Sequence, residues 1–135
     1  KRSIKEINDI INKYTNEEKF IFFDDTLTID IILNARYLIT DWSGISIEYA
    51  FVTGNYVLYI DSPQKTVNKN AHKLGIEAFE SSIRNKIGYI WDKEQKISDF
   101  ENKKDIEKIM RNNIFNINNS DKSAADYISK LLLKR

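Results

Sequence analysis

The residues best suited to chemistry form one short turn, Asp41-Trp42-Ser43-Gly44, between a predicted strand and a predicted helix. A helix that begins at Ser43 and Gly44 directs its unpaired N–H groups, including that of Ile45, at one point. The positive end of the helix dipole lies at the same point. Helix starts of this kind bind anions, most often phosphate in α/β proteins. The alternative interpretation is structural, because Ser43 is also a preferred N-cap residue. The residue types alone leave both interpretations open.

Acidic residues also follow the neighbouring predicted strands. Asp24 and Asp25 come after the apolar run 19–23, and Asp61 comes after the apolar run 56–60. Because the carboxyl ends of parallel strands meet at one edge of a sheet, we expect these acids to lie near the Asp41 turn.

The elements that must position these residues alternate between strand and helix from residue 20 to residue 91. This alternation predicts a parallel sheet, with helices on both faces in a three-layer α/β/α Rossmann-like arrangement. Ligands in such folds bind beyond the carboxyl ends of the strands. The predicted strands are 19–23, 37–40, 56–60 and 88–91, and the predicted helices between them are 26–35, 44–52 and 79–86.

Helical patterns flank this region on both sides. Apolar residues recur at helical spacing in 3–14, in 97–113 and in 121–133. We expect the last helix to be capped by Asp121 or Ser123 and to bury Ala124, Tyr127, Ile128 and Leu131. The polar stretch 64–74 has no clear period and is predicted to be a long loop, within a wider region 64–82 to which we assign no role.

Bulk composition is that of a globular domain. The 135 residues are 41% hydrophobic and 30% charged, with a net charge of +1. This balance gives no field that favours nucleic acid, and no stretch is long enough for a transmembrane helix. The chain has no cysteine and one histidine, so we expect no disulfide, no metal site and no cofactor. The chain begins Lys1-Arg2-Ser3 without Met, and we expect one domain, 1–135, cut from a longer protein.

Two chemistries suit the acidic sheet edge. In the first, the edge binds a nucleotide-linked donor. The Ser43 hydroxyl and the N–H groups of Gly44 and Ile45 would hold phosphate, and Glu48 would accept hydrogen bonds from ribose or polyol hydroxyls. Asp61 and Ser62 would close the other side of the site, although Ser-Pro is also a plain turn signal.

The second chemistry is that of a response-regulator-like phospho-receiver. In this class an acidic pair, here Asp24 and Asp25, holds Mg²⁺, and a lone Asp, here Asp61, accepts the phosphoryl group. A receiver also requires a Ser or Thr after a fourth strand and a Lys after a fifth strand. The helical pattern after Trp91 does not supply them.

Three segments resemble the C-terminal half of the CDP-glycerol glycerophosphotransferase family, whose members build teichoic-acid and capsule polymers. They are Tyr37-Leu38-Ile39-Thr40-Asp41-Trp42-Ser43-Gly44, Glu48-Tyr49, and Tyr56-Val57-Leu58-Tyr59-Ile60-Asp61. The family has an Ile-Thr-Asp-Tyr-Ser-Ser turn, an acid in the next helix, and a strand that ends in Asp. The resemblance covers about 20–91, where Ile87-Gly88 resembles a Pro-Gly step.

The resemblance implies the nucleotide-donor half of a two-domain GT-B-type transferase. Asp41, Ser43 and Gly44 would match the turn that touches donor phosphate, Glu48 the helix acid, and Asp61 the strand-end acid. The family's second Ser is Gly44 here, and its Tyr is Trp42. The catalytic base histidine of the family lies in the other half, so we expect no catalytic residue and no turnover in this chain.

Further expectations come from the same resemblance. Asp25, His72 and Arg84 are secondary candidates for the donor site, with a solvated helix position as the alternative for Arg84 and a surface position for His72. The partners would be CDP-glycerol or another nucleotide-diphosphate donor, and a polymer or lipid-linked acceptor held by the other domain. The protein would be cytoplasmic, at the inner face of the cell membrane. A sugar-nucleotide glycosyltransferase of GT-B fold is the nearest alternative, and a non-catalytic binding module is another.

Overall fold

The structure is a computed structural model that describes residues 4–23, 29–64, 70, 73, 75, 77–92, 94–100 and 104–133. The chain divides into two compact units, Lys1–Ile32 and Leu33–Arg135.

The first unit contains helix α1 (Ile4–Tyr14), as its apolar stripe predicts. After α1 the chain turns through hydrogen bonds from Glu17 N to Tyr14 O and from Phe20 N to Glu17 O, each 2.9 Å long. The strand predicted at 19–23 is wrong, because residues 20–23 have no regular secondary structure. A strand requires a hydrogen-bonded neighbour as well as apolar residues, and a turn occupies the start of this run.

In the part of the chain that the structure describes, the second unit is built on a parallel sheet of three strands in the order β1-β2-β3. They are β1 (Leu38–Thr40), β2 (Val57–Ile60) and β3 (Gly88–Trp91). Leu38 pairs with Val57, and Val57 pairs in turn with Gly88. All three strands were predicted within one residue of their bounds. The chain is therefore an α/β protein with a small parallel sheet.

Helix α2 (Ile29–Asn34) precedes β1, and two crossover helices connect the strands, α3 (Ile45–Thr53) and α4 (Phe79–Ile87). Helix α3 ends at Gly54, whose φ of 71° is the left-handed value expected of a helix C-cap. Helices α3 and α4 contact each other. This contact follows from strand order, because right-handed crossovers between consecutive neighbouring strands lie on one face of a sheet.

The core lies between the central strand and the crossover helices. Val57, Leu58 and Tyr59 of β2 are at most 2% exposed, as the uninterrupted apolar run predicts for a strand covered on both faces. The α3 residue Tyr49 is anchored through its hydroxyl, which donates a 3.1 Å hydrogen bond to Ala35 O. The other buried apolar residues are Ala50, Tyr56, Ile83, Ile87 and Ile106.

The region after β3 is helical, but its helices differ from the predicted ones. The span predicted as one helix, 97–113, contains a 3₁₀ turn (Ile97–Asp99) and then α5 (Ile106–Asn113). Asp105 breaks the pattern because its side chain accepts a 3.0 Å bond from Lys108 N and so caps α5.

Helix α6 (Ser120–Leu132) forms where it was predicted, but it differs in its cap and in its burial. Its N-cap is Asn119, and neither Asp121 nor Ser123 caps it. The apolar residues predicted to be buried, Ala124, Tyr127, Ile128 and Leu131, are all exposed. Helical periodicity identified the helix correctly, but it does not show whether a partner surface covers the apolar face.

Candidate functional site

The turn after β1 leads directly into the amino end of α3. The first backbone hydrogen bonds of the helix run from Ser46 N to Ser43 O at 3.1 Å and from Ile47 N to Gly44 O at 3.0 Å. The N–H groups of Gly44 and Ile45 therefore precede the first intrahelical bond, as at any helix start. Ser43 and Gly44 are exposed, and Ile45 is half-buried.

The interpretation of Ser43 as a helix cap is wrong. The N-cap of α3 is Gly44, and no side chain among the described residues caps this helix. The backbone carbonyl of Ser43 instead accepts a 2.8 Å hydrogen bond from the Ser46 hydroxyl. The Ser43 side chain is thus exposed beside the amino end of α3 without the structural role that Ser most often has there.

Trp42 ties this turn to the turn after β2. Its indole Nε1 donates a 2.8 Å hydrogen bond to Ser62 O, 20 residues further along the chain. The two strand ends that the sequence predicted to be neighbours are therefore joined by a direct contact.

Arg84 of α4 makes the second tie between the same turns. Its Nη1 donates to Asp41 O at 2.8 Å, and its Nη2 donates to Ile60 O at 3.3 Å. The guanidinium also contacts two aromatic rings, with its Cζ 4.1 Å from the centre of the Trp42 ring and 3.9 Å from the centre of the Tyr59 ring. Arg84 is only 6% exposed, so the interpretation of it as a solvated helix residue is wrong.

Two of the predicted acids, Asp41 and Asp61, interact with this guanidinium. Burial lowers the pKa of Arg84, and the nearby Tyr59, Asp61 and Asp41 oppose that shift, in decreasing order. An arginine remains charged throughout the physiological range despite such a shift. Asp41, which is half-buried, and Asp61, which is exposed, are thus both close enough to interact with one buried positive charge.

The inner side of the turn is filled by side chains. A pocket of about 30 Å³ remains there, which suits about one or two water molecules. Ser43 and Gly44 are exposed at this turn, where an anion can reach them. The pocket is lined by Asp41, Trp42, Ser43, Ser46, Tyr59, Glu80 and Arg84.

A much larger cleft lies over the carboxyl ends of β2 and β3. It has a volume of about 870 Å³. Two isoleucines and Trp91 supply apolar surface, and three carboxylates, including that of Asp61, supply acceptors. The side of the cleft that β3 forms was not predicted from the sequence. The described residues that line it are Ile60, Asp61, Ile90, Trp91, Asp92 and Glu94.

The remaining predicted residues occupy different positions. Glu48 is exposed on α3. The Ser62 hydroxyl oxygen is buried and has no hydrogen-bond partner among the described residues, so it does not line the exposed surface. Asp24, Asp25 and His72 lie outside the described residues.

The structural roles of Trp42 and Arg84 were not predicted from the sequence. A signal for Arg84 was present, because it lies on the same helical stripe as Ile83 and Ile87, whose side chains are buried. The indole bond of Trp42 has no counterpart in local sequence pattern.

Comparison with known proteins adds no relative. No family model matches the chain, and no curated protein or solved structure matches it. Within the described residues, every helix is too short or too polar to cross a membrane.

Proposed function

We propose that this chain is the donor-binding part of a glycerophosphotransferase of the CDP-glycerol type, acting in the synthesis of teichoic-acid-like or capsule polymers. The observation that carries the proposal is the pair of joined turns. Ser43 and the N–H groups of Gly44 and Ile45 lie at one exposed helix start, which Trp42 ties to the end of β2. In this site the helix start would hold donor phosphate.

The strand order supports a Rossmann-like sheet. Three consecutive strands that pair in sequence order, all parallel, are what one half of a Rossmann sheet contains. We propose that this sheet belongs to a three-layer domain, the donor half of a GT-B fold. In such folds the ligand crevice lies at the carboxyl ends of the strands, as the two turns and the large cleft do here.

The chemistry of the cleft fits the uncharged part of such a donor. Phosphate would be repelled by the carboxylates of Asp61, Asp92 and Glu94, whereas ribose, polyol or sugar hydroxyls donate hydrogen bonds to them. Trp91 offers an aromatic surface for a base or a sugar. We therefore propose that phosphate binds at Ser43 and that the hydroxyl-rich groups extend toward the cleft.

The reaction of the longer protein would be a displacement at the donor β-phosphorus. An acceptor hydroxyl oxygen forms a bond to this phosphorus, the bond from phosphorus to the bridging oxygen breaks, and CMP leaves. The hydroxyl proton passes to a base outside this chain. The contribution of the residues described here is to hold the phosphate with fixed N–H dipoles and the Ser43 hydroxyl, which stabilises developing negative charge.

The strand order counts against the phospho-receiver. In the receiver order, 2-1-3-4-5, the strand that precedes the acidic pair lies between the next two strands. Here β1 pairs directly with β2, so no strand separates them. Treatment with acetyl phosphate or beryllofluoride would still label Asp61 in a receiver, and we expect no labelling.

Calorimetry tests the proposed function. We expect the chain to bind CDP-glycerol and Ser43→Ala to weaken binding about tenfold, because a hydrogen bond to a charged group contributes about 1.5–3 kcal/mol. The control is Ser129→Ala, at an exposed position of α6. Absence of binding, or equal binding by both variants, would contradict the proposal. Tighter binding of a UDP-sugar would favour the glycosyltransferase, and a longer protein whose activity survives Ser43→Ala would favour a non-catalytic binding module.

A further inference from the structure

Arg84 is a charged side chain at a position where burial normally selects apolar residues. It comes from α4, yet its guanidinium reaches the ends of β1 and β2. A buried charge is costly unless hydrogen bonds and neighbouring charges compensate it.

The contacts of Arg84 are with backbone and rings. Asp41 O follows β1 and Ile60 O ends β2, and the guanidinium donates to both of these carbonyls. The rings of Trp42 and Tyr59, 4.1 and 3.9 Å away, lie against its planar group. Such a planar group bonds two acceptors and stacks at the same time, which a lysine cannot do.

We propose that Arg84 is a positioning residue for the phosphate site, which it holds in shape without touching the phosphate. This inference rests on the proposed function. By fixing Asp41 O, Arg84 fixes the turn that carries Ser43 and Gly44. By fixing Ile60 O, it also fixes the position of that turn relative to Asp61. Its charge also offsets the carboxylates of Asp41 and Asp61, which would otherwise repel an anion.

The first test is the variant Arg84→Lys, which keeps the charge but loses the fork. The control is Arg111→Lys on α5, where the arginine is exposed and pairs with Glu107 at 2.7 Å. Calorimetry compares CDP-glycerol with cytidine. For Arg84→Lys we expect CDP-glycerol to bind about tenfold more weakly while cytidine changes less than twofold, because only the phosphate depends on the turn. The control should match the wild type for both ligands.

The second test does not depend on a ligand. The chain has two tryptophans, so its ¹H–¹⁵N NMR spectrum has two indole signals. Trp42 donates to Ser62 O, and Trp91 donates to Gln95 O. In Arg84→Lys we expect the Trp42 indole proton to shift and to exchange faster with solvent, while the Trp91 signal stays in place.

A third measurement uses the wild-type chain. When CDP-glycerol is added, the Gly44 amide signal should shift, and the Arg84 guanidinium signals should shift much less. A guanidinium shift as large as that of Gly44 would make Arg84 a direct phosphate ligand and overturn the proposal. An unchanged ratio of the two affinities in Arg84→Lys would also overturn it.

The tests separate the two proposals. If the wild type binds no CDP-glycerol, the proposed function fails, and the Trp42 indole signal of Arg84→Lys still decides whether Arg84 positions the turn. If that variant does not fold and the wild type binds no donor, Arg84 is a structural residue only, and the inference is wrong.

Discussion

Gly88 sets the distance between β3 and β2, and its replacement by alanine tests whether the sheet is packed as tightly as the structure indicates. A methyl group added at Gly88 would lie 2.5 Å from Val57 O and would collide with the Tyr59 ring. The ring can rotate or shift, but the carbonyl belongs to the strand that pairs with β3. Alanine therefore requires the two strands to separate locally, although its backbone φ of −155° is ordinary.

The magnitude follows from the cost of overpacking. An extra methyl group in a closely packed core destabilises by about 1–3 kcal/mol when side chains can adjust. Here a backbone atom is involved, so we expect the upper end of that range, about 3 kcal/mol. Such a loss is a large fraction of the usual 5–15 kcal/mol of stability for a domain. Because Gly88 begins the strand that carries Trp91, we also expect the cleft to lose its shape.

Urea unfolding followed by far-UV circular dichroism measures the effect. The matched control is Gly44→Ala, where an added methyl group meets no atom within 4 Å and φ is −57°. We expect Gly44→Ala to change the free energy of unfolding by less than about 1 kcal/mol, because the lower entropy of the unfolded chain offsets the weaker preference for alanine at an N-cap. If Gly88→Ala were as stable as Gly44→Ala, β2 and β3 could not be packed at the observed distance.

Three further predictions concern individual side chains. Burial raises the pKa of Tyr59, so above a pH of about 10 this tyrosine ionises more readily in the unfolded chain than in the folded one. The free energy of unfolding should therefore fall above that pH, and it should fall less in Tyr59→Phe. Asp105→Ala removes the bond to Lys108 N and should destabilise by about 1 kcal/mol in urea unfolding, whereas Asp105→Asn should not. Ile83→Ala should lower the free energy of unfolding by about 2–5 kcal/mol in the same assay, because Ile83 is 1% exposed. Leu131→Ala should lower it by less than about 1 kcal/mol, because Leu131 is 51% exposed. Equal losses would refute the exposure of α6.

The central strands were predictable because neighbouring residues in the sequence determine them. The run 56–60 is apolar throughout and is bounded by turn residues, which is typical of a strand buried on both faces. Gly54 marked the end of α3, and the Ser43-Gly44 pair marked its start, to within a residue or two. These features depend on backbone preferences that act over a few residues, so a single sequence reveals them.

The errors concern features that depend on distant parts of the chain. The run 19–23 has the composition of a strand, but pairing requires a neighbour, and composition does not provide one. The apolar stripe of α6 predicts a helix equally well whether or not the stripe is covered. The ties of the site span 20 residues from Trp42 to Ser62 and 43 residues from Arg84 to Asp41. No local pattern encodes such distances.

The misassignment of Arg84 has the same origin. Its place beside Ile83 and Ile87 indicated the buried side of α4, but the charge of its side chain favoured a solvated position. The carbonyls of Asp41 and Ile60 lie where their strands end, and both accept hydrogen bonds from Arg84. A leucine at residue 84 would fit the apolar stripe better, but it would remove both of these hydrogen bonds. Hydrogen bonds to a charged group contribute about 1.5–3 kcal/mol each. The polar residue is therefore selected by backbone groups distant in sequence, and it connects the helix to the turn that carries Ser43.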